Sequence, residues 1–291
     1  MDTLPRGERY ERLMRLVSLA RSLEAQGYPN AAKLYWALAH SQQLRESRQV
    51  APCELDNKMA AAIDCLKADN ADPQLIEALK HGRQALAEKR PIRHTEIPSV
   101  RVCRTCGEIF LGDPPPRCPE CAARPITFLE FLPMYHWETL TPSQALVALA
   151  SAPDEVRAAV QGMSEEQMLQ KPDPEAASVH SLVFHIAFDQ ELLAERIEKM
   201  LTQPYPQLEG VAAWADAEDE QIPVQQLLER YQRSREETVR RLMHISYEDW
   251  QRSGWHNEFG RVTILQQVCY FARHERGHLP QIEEARRLVG G

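Results

Sequence analysis

Four cysteines near the middle of the chain have the spacing of a metal site. Cys103-Arg-Thr-Cys106 is followed by eleven residues and then by Cys118-Pro-Glu-Cys121. Two Cys-x-x-Cys turns can place four thiolates around one tetrahedral ion, and four thiolates bind either zinc or iron. Because every coordination position is then filled, we expect a structural or electron-transferring site. A pair of redox dithiols is the weaker alternative, since cytosolic thiols are normally kept reduced.

Two histidines near the C-terminus have the spacing of a helical chelate. His274 and His278 lie four residues apart in a segment with helical periodicity, so their side chains share one face, about 6 Å apart along the axis. Phe271, Gln267 and Ile282 fall on the same face, which is therefore expected to point inward. Burying two histidines without partners is costly, so they either bind one ion or are satisfied by other polar groups. An isolated His-x-x-x-His pair is more often the latter.

A third inward histidine strengthens the case for a metal ion. His185 and Asp189 share the inward face of another predicted helix. Three neutral imidazoles leave one to three coordination positions for water or substrate, which is the pattern of a catalytic ion. Asp189 is the candidate catalytic residue, since it could orient His185 or act as a base; a salt bridge on the helix surface is the alternative. His256 is a weaker candidate for the mouth of the site, and Glu275 diverges too far from its neighbour to be a good ligand.

The composition excludes several classes of protein. The chain has 291 residues, of which 43% are hydrophobic and 26% are charged, and this composition is typical of a globular protein. It contains no apolar run long enough to cross a bilayer and begins without a basic and apolar leader, so we expect a cytoplasmic protein with no membrane partner. Residues 135–291 carry 15 basic and 25 acidic side chains. Such an acidic half repels a phosphate backbone, so nucleic acid is not an expected partner.

Helical periodicity covers most of the chain and predicts a mainly α fold. The predicted helices span residues 8–26, 30–44, 55–66, 72–86, 142–162 (with a possible break at Pro153), 178–202, 223–244 and 262–288. We therefore expect three domains. These are a small helical bundle over residues 1–95, a four-cysteine module over residues 96–134, and a four-helix bundle over residues 135–291.

The first two of these domains resemble a rubrerythrin. The rubredoxin-like knuckle of that family is similar to Val102-Cys-Arg-Thr-Cys-Gly107 and Pro116-Arg-Cys-Pro-Glu-Cys121, and Ala25-Gln-Gly-Tyr-Pro-Asn-Ala-Ala-Lys-Leu-Tyr35 resembles its helical part. The family's di-iron site needs Glu and Glu-x-x-His ligands. Where that Glu-x-x-His would fall, this chain has Gln42 and Arg45, and a guanidinium cannot ligate iron. We therefore expect an N-terminal bundle without a di-iron centre, used for packing or for a homodimer.

The C-terminal half, residues 142–288, resembles the DinB-like four-helix family of metal-dependent proteins. The resemblance rests on Ser178-Val-His-Ser-Leu-Val-Phe-His185, on Gly260-Arg-Val-Thr263, and on His274-Glu-Arg-Gly-His-Leu-Pro-Gln-Ile282. In that family one histidine of the second helix and a His-x-x-x-His of the fourth hold a divalent ion, usually zinc or nickel. The matching positions here are His185, His274 and His278.

The resemblance implies a metal-dependent transferase of the thiol S-transfer type, or a hydrolase, acting on a small molecule or a thiol. The alternative is a metal-binding protein of stress response or redox sensing without catalytic activity, in which the four-cysteine knuckle is a structural or electron-transfer site. No nucleotide-binding loop and no Ser/His/Asp order can be traced in the sequence, so it does not identify the substrate.

Overall fold

The computed structural model describes residues 6–47, 50–88, 90, 92–93, 95–133, 139–174, 176–211 and 219–290. The chain divides into two compact units, residues 1–70 and 71–291. It is mainly helical, which confirms the predicted fold class. The predicted boundaries at residues 95 and 134 stay predictions.

The described residues of the first unit form three helices: α1 (Arg6–Ala25), α2 (Pro29–Glu46) and α3 (Pro52–Ala68). The turn between α1 and α2 passes through Gly27, whose φ of +84° favours a residue without a side chain. Ala20 and Ala32 are fully buried, and such small side chains let two helix backbones approach closely. α1 and α2 therefore form a tightly packed helical hairpin.

The two positions compared with the rubrerythrin ligands offer no ligand pair. The Gln42 amide donates a hydrogen bond to the carbonyl oxygen of Arg9 at 2.8 Å, and Arg45 is exposed. That this unit holds no di-iron centre stays a prediction.

The second unit passes from one helix through a small sheet into a four-helix bundle. Its elements in chain order are α4 (Pro73–Ala87), β1 (Val100–Cys103), β2 (Ile109–Leu111), β3 (Phe128–Phe131), α5 (Pro142–Val160), α6 (Glu165–Leu169), α7 (Val179–Thr202), β4 (Gln207–Leu208), α8 (Val224–Met243), α9 (Tyr247–Trp250), β5 (Ser253–His256), β6 (Gly260–Thr263) and α10 (Ile264–Leu288). No helix among the described residues has both the length and the apolar character that crossing a bilayer requires.

The cysteine-rich segment folds around an antiparallel sheet. Its strand order is β2-β1-β3, and Val102 of β1 lies opposite Ile109 on one side and Leu129 on the other. Phe110 stacks on Phe128 with ring centroids 4.6 Å apart. This small apolar layer supports the cysteine-bearing turns that follow β1 and precede β3.

The large core lies between α5, α7, α8 and α10. Each of these helices packs against two others, in the cyclic order α5, α10, α7, α8. Leu149, Leu193 and Phe271 represent one buried apolar cluster, and Val183 and Leu227 represent a second. The helices that carry the histidines, α7 and α10, are therefore direct neighbours in this bundle.

α5 continues as one helix through Pro153, although the sequence allowed a break at this residue. A proline in a helix removes one N–H donor and leaves the carbonyl four residues earlier without its usual partner. That carbonyl belongs to Leu149, and Arg235 of α8 donates a hydrogen bond to it at 3.1 Å. A side chain from a neighbouring helix thus replaces the missing backbone donor.

A small sheet precedes α10 and was not predicted. β5 and β6 form a hairpin, and β4 pairs parallel to β5. The predicted helix over residues 262–288 therefore begins two residues later, at Ile264, because Val262 and Thr263 belong to β6. Thr263 caps the helix by accepting a hydrogen bond from the backbone of Gln266 at 3.2 Å.

Candidate functional site

Helices α7 and α10 bring the three predicted histidines together. His185 projects from α7, and His274 and His278 project from one face of α10. The Nε2 atom of His274 lies 3.0 Å from Nε2 of His185 and 3.1 Å from Nε2 of His278. The three imidazoles therefore direct their Nε2 atoms at one point.

These distances fit a divalent ion. Ligand nitrogens about 2.05 Å from a metal lie about 2.9 Å apart at right angles and about 3.3 Å apart at the tetrahedral angle. The separations of 3.0 and 3.1 Å fall within this interval. Without a cation, three ring nitrogens facing one another can share only the few hydrogen bonds that their protons allow. The residues present are thus a suitable set for zinc or nickel, both of which accept imidazole nitrogen.

Asp189 lies at the same point, one helical turn after His185. Its Oδ2 atom is 3.1 Å from Nε2 of His274 and 3.4 Å from Nε2 of His185. The residue is only 4% exposed, so a salt bridge on the helix surface is not what the structure contains. The carboxylate faces the nitrogens that would bind the ion, close enough to ligate it or to accept a proton beside it.

Gln281 fixes the orientation of one ligand. Its Oε1 atom lies 2.9 Å from Nδ1 of His278, so this Nδ1 carries the proton and donates it to the amide oxygen. The lone pair of His278 is then on Nε2, which is the atom that points into the cluster. Burial lowers the pKa of His278, a change that its hydrogen bond to Gln281 opposes. The imidazole is therefore neutral and available near neutral pH.

The cluster is reached from the side of His274. The side chain of His274 is 25% exposed, whereas those of His185 and Asp189 are 5% and 6% exposed. Tyr270 stacks on the His274 ring with a centroid distance of 5.5 Å and an interplanar angle of 11°. A small molecule approaching the cluster would therefore meet the face formed by His274 and Tyr270.

The four cysteines also come together. The Sγ atoms of Cys103 and Cys121 are 3.6 Å apart and those of Cys106 and Cys118 are 3.5 Å apart. Thiolates about 2.3 Å from a tetrahedral ion lie about 3.8 Å apart, so this group fits a zinc or iron ion. Although burial opposes ionisation, backbone N–H groups lower the pKa of Cys103 to about 6.

Two equivalent turns hold these cysteines. Gly107 donates a backbone hydrogen bond to Cys103, and Ala122 donates the corresponding bond to Cys118, both at 2.8 Å. Gly107 and Ala122 occupy the same position of the turn, and both have positive φ, +93° and +59°. Glycine adopts this conformation freely, whereas in the alanine it costs about 1 to 2 kcal/mol.

His256 and Glu275, which the sequence analysis also considered, are both buried and hydrogen-bonded to other groups. His256 is 1% exposed and its Nδ1 accepts a hydrogen bond from the backbone of Glu258, so it does not reach the mouth of the cluster as an open side chain. Glu275 is buried in an ion pair with Arg235 and accepts a hydrogen bond from Tyr231, which agrees with its prediction as a poor ligand. Neither interaction was visible in the sequence, because both partners lie on a helix some 40 residues away.

Comparison with known proteins finds a similarity that is confined to the bundle. Residues 148–282 match the DinB superfamily. Among solved structures, YfiT from Bacillus subtilis, titled a probable metal-dependent hydrolase with an unusual four-helix bundle topology, is 16% identical, with a TM-score of 0.47, over 55% of this chain and 94% of that chain. Comparison with curated proteins finds no match. The segment matched by the superfamily includes neither the N-terminal helices nor the four cysteines, so the resemblance to rubrerythrins stays a prediction. The three-histidine cluster thus lies within a segment, residues 148–282, that matches the DinB superfamily.

Proposed function

We propose that this protein is a metal-dependent enzyme that activates a small nucleophile, with transfer of a thiol sulfur as the reaction and hydrolysis as the alternative. The observation that carries the proposal is the convergence of three Nε2 atoms, from His185, His274 and His278, beside the buried carboxylate of Asp189. A structural site would instead be closed by four protein ligands of its own.

A divalent ion held by the three imidazoles would lower the pKa of a thiol or water molecule bound to it. Asp189 would accept, at Oδ2, the proton that such a nucleophile loses. In the transfer, the thiolate sulfur would form a bond to an electrophilic carbon, and the leaving group of that carbon would depart with the electron pair of the bond that breaks. Gln281 keeps His278 in the tautomer that binds metal. The exposed side of His274 leaves room for a second reactant, whereas the buried sides of His185 and Asp189 exclude water from behind the cluster.

The four-cysteine site has a different proposed role. Its ligands complete a tetrahedron, so a substrate would find no open position there. We assign it the structural role of joining the two cysteine-bearing turns to the sheet of β1, β2 and β3.

The test is a two-site metal count followed by a test of nucleophile binding. The wild-type chain should bind one ion at the cysteines and one at the histidines. The His278→Ala variant should lose the second ion and keep the first. His244→Ala removes an exposed histidine of the same bundle and should change neither. Cobalt placed at the histidine site should then change its absorption when 2-mercaptoethanol is added, and His278→Ala should show no such change.

Two results would contradict the proposal. One is an unchanged metal count in His278→Ala. The other is a cobalt site that exchanges no water and takes up no thiol, because Asp189 would then close the site as a fourth ligand and the protein would be a non-catalytic metal-binding protein. Transfer of the thiol to an electrophile, compared with hydrolysis of an ester, decides between the two reactions.

A further inference from the structure

A second charged group lies buried near the histidine cluster, and the proposed chemistry does not use it. Arg196 of α7 is 4% exposed. Its guanidinium donates hydrogen bonds to the carbonyl oxygen of Glu209 and, at 3.4 Å, to Oε1 of Gln267, and it lies 5.7 Å from the ring centre of Phe271. Its Nε atom is buried without a hydrogen-bond partner. The partners of this cation are thus neutral, and part of its donor capacity is unused.

The absence of a counter-charge is unusual for a buried arginine. Among the described residues, no carboxylate oxygen forms an ion pair with Arg196, whereas the other deeply buried arginine of the bundle, Arg235, is paired with Glu275. Burying an unpaired charge is strongly unfavourable, which is why such groups are normally paired. The hydrogen bond to the carbonyl oxygen of Glu209 does not by itself require a cation, since a neutral donor could form it without the unfavourable burial of a charge.

Arg196 is placed to act together with the histidine cluster. It lies on the same helix as Asp189, seven residues or two turns further along, which corresponds to a rise of about 10 Å on the same face. Two aromatic rings connect the two places. The guanidinium of Arg196 lies 5.7 Å from the ring centre of Phe271, and that centre is 5.3 Å from the ring centre of Tyr270. Tyr270 in turn stacks on His274 with a centroid distance of 5.5 Å.

We propose that Arg196 binds a carboxylate of the substrate whose nucleophilic end lies at the three-histidine cluster. This inference rests on the proposed function and adds to it the class of substrate, a thiol that carries a carboxylate about 10 Å from the sulfur. The unpartnered Nε–H and an N–H on the neighbouring Nη form the planar fork that binds a carboxylate through two parallel hydrogen bonds.

Glu258 is the acidic residue that could compete with the substrate. It is partly buried, and burial raises the pKa of its carboxyl group, although the charge of Arg196 opposes this rise. A carboxyl group with a raised pKa is a poor permanent counter-ion. The Glu258→Gln variant should therefore bind the carboxylate as tightly as the wild type, and tighter binding would contradict the assignment of Arg196 as a cation without a counter-ion.

The experiment compares mercaptoalkanoic acids of increasing length with mercaptoalkanols of the same length, titrated into the full chain with cobalt at the histidine site. In the wild type, the acid that spans about 10 Å should bind about 10- to 100-fold more tightly than its alcohol, because a charge-assisted pair adds that much affinity. In Arg196→Gln this advantage should vanish while the alcohol binds as before. Arg230→Gln, which removes an exposed arginine, should keep the advantage.

The outcomes separate this inference from the proposed function. Equal affinities of acid and alcohol in the wild type would overturn the role of Arg196, and this comparison needs no variant that could fail to fold. An advantage that survives in Arg196→Gln would overturn it as well and leave Arg196 as a pin for Glu209. If neither acid nor alcohol changes the cobalt spectrum, the proposed function itself fails, and the assignment to Arg196 fails with it.

Discussion

At the scale of single residues, the geometry of the histidine cluster depends on groups other than the three imidazoles. Gln281 holds His278 by a hydrogen bond to Nδ1, and Asp189 places a carboxylate next to two Nε2 atoms. Partners of this kind determine which tautomer a metal-binding histidine adopts. We therefore expect the affinity of the cluster for metal to depend on five side chains and not only on the three imidazoles.

Replacing Gln281 tests this directly. Gln281→Leu removes the acceptor of the Nδ1 proton and should weaken metal binding at the histidine site by about 10- to 100-fold, measured by competition with a chelator. Gln281→Glu keeps an acceptor and should retain the affinity of the wild type. Glu284→Gln changes an exposed carboxylate of the same helix and serves as the control. Equal affinity in Gln281→Leu and the wild type would show that Gln281 does not orient the ligand.

The buried side chain of His256 should make the free energy of unfolding depend on pH. Burial, assisted by the charge of Arg196, lowers the pKa of His256 to about 3, from 6.5 in the unfolded chain. Below pH 6.5 the unfolded chain therefore binds a proton that the folded chain does not, and the free energy of unfolding falls by about 1.4 kcal/mol for each pH unit down to about pH 3. His256→Asn keeps an acceptor for the backbone of Glu258 and does not titrate. In metal-free protein, it should lose about 2 kcal/mol less than the wild type between pH 6.5 and pH 4.5, measured by urea unfolding.

At the scale of elements, the small sheet of β4, β5 and β6 depends on one close approach. A side-chain carbon at Gly254 of β5 would lie 2.9 Å from the carbonyl oxygen of Pro206 and 2.8 Å from Cδ1 of Leu208. The same segment is held by a hydrogen bond of 2.8 Å from the backbone of Trp255 to Pro206. Glycine is therefore required at this position by space and not by backbone conformation.

Gly254→Ala should accordingly disturb the pairing of β4 with β5 and lower the free energy of unfolding by about 1 to 3 kcal/mol, the usual cost of overpacking. The matched control is Gly277→Ala in the interior of α10, where a new side-chain carbon meets nothing within 4 Å. That variant should gain stability, by up to about 1 kcal/mol, because alanine favours the helix. Thermal unfolding of both variants checks the pair, and a stable Gly254→Ala protein would contradict the close packing described for this sheet.

At the scale of the whole second unit, one buried network joins all four helices of the bundle. Arg235 of α8 donates to the carbonyl oxygen of Leu149 in α5, to Gln190 in α7 and to Glu275 in α10. Glu275 directly follows His274, so this network also fixes the rotation of α10 that turns both of its histidines toward His185. The packing of the bundle and the geometry of the histidine cluster are thus linked.

Removing only one partner of this network should be more harmful than removing both. Arg235→Met leaves Glu275 as an unpaired buried charge and should cost about 3 to 5 kcal/mol of unfolding free energy. The double variant Arg235→Met/Glu275→Met leaves no such charge and should recover a large part of the loss. Chemical denaturation of the single and double variants measures the difference. A double variant less stable than the single one would show that the ion pair contributes packing that methionine cannot replace.

The sequence by itself determined the helical class, the approximate ranges of the long helices and the residues of both candidate metal groups, because each of these depends on spacing along one element. Two Cys-x-x-Cys turns and a His-x-x-x-His pair are local patterns, and the periodicity of α7 already directed His185 inward. The tertiary structure decided everything that joins different elements. It placed Asp189 against His274 and paired Arg235 with Glu275. It also gave the carbonyl oxygen of Leu149, which Pro153 leaves without a backbone donor, a hydrogen bond from Arg235. It also turned the residues before α10 into a hairpin, whose strands are too short to show a pattern and form only because β4 pairs with them. Contacts between residues 40 to 90 positions apart leave no periodic trace, since their energy arises only when the helices pack.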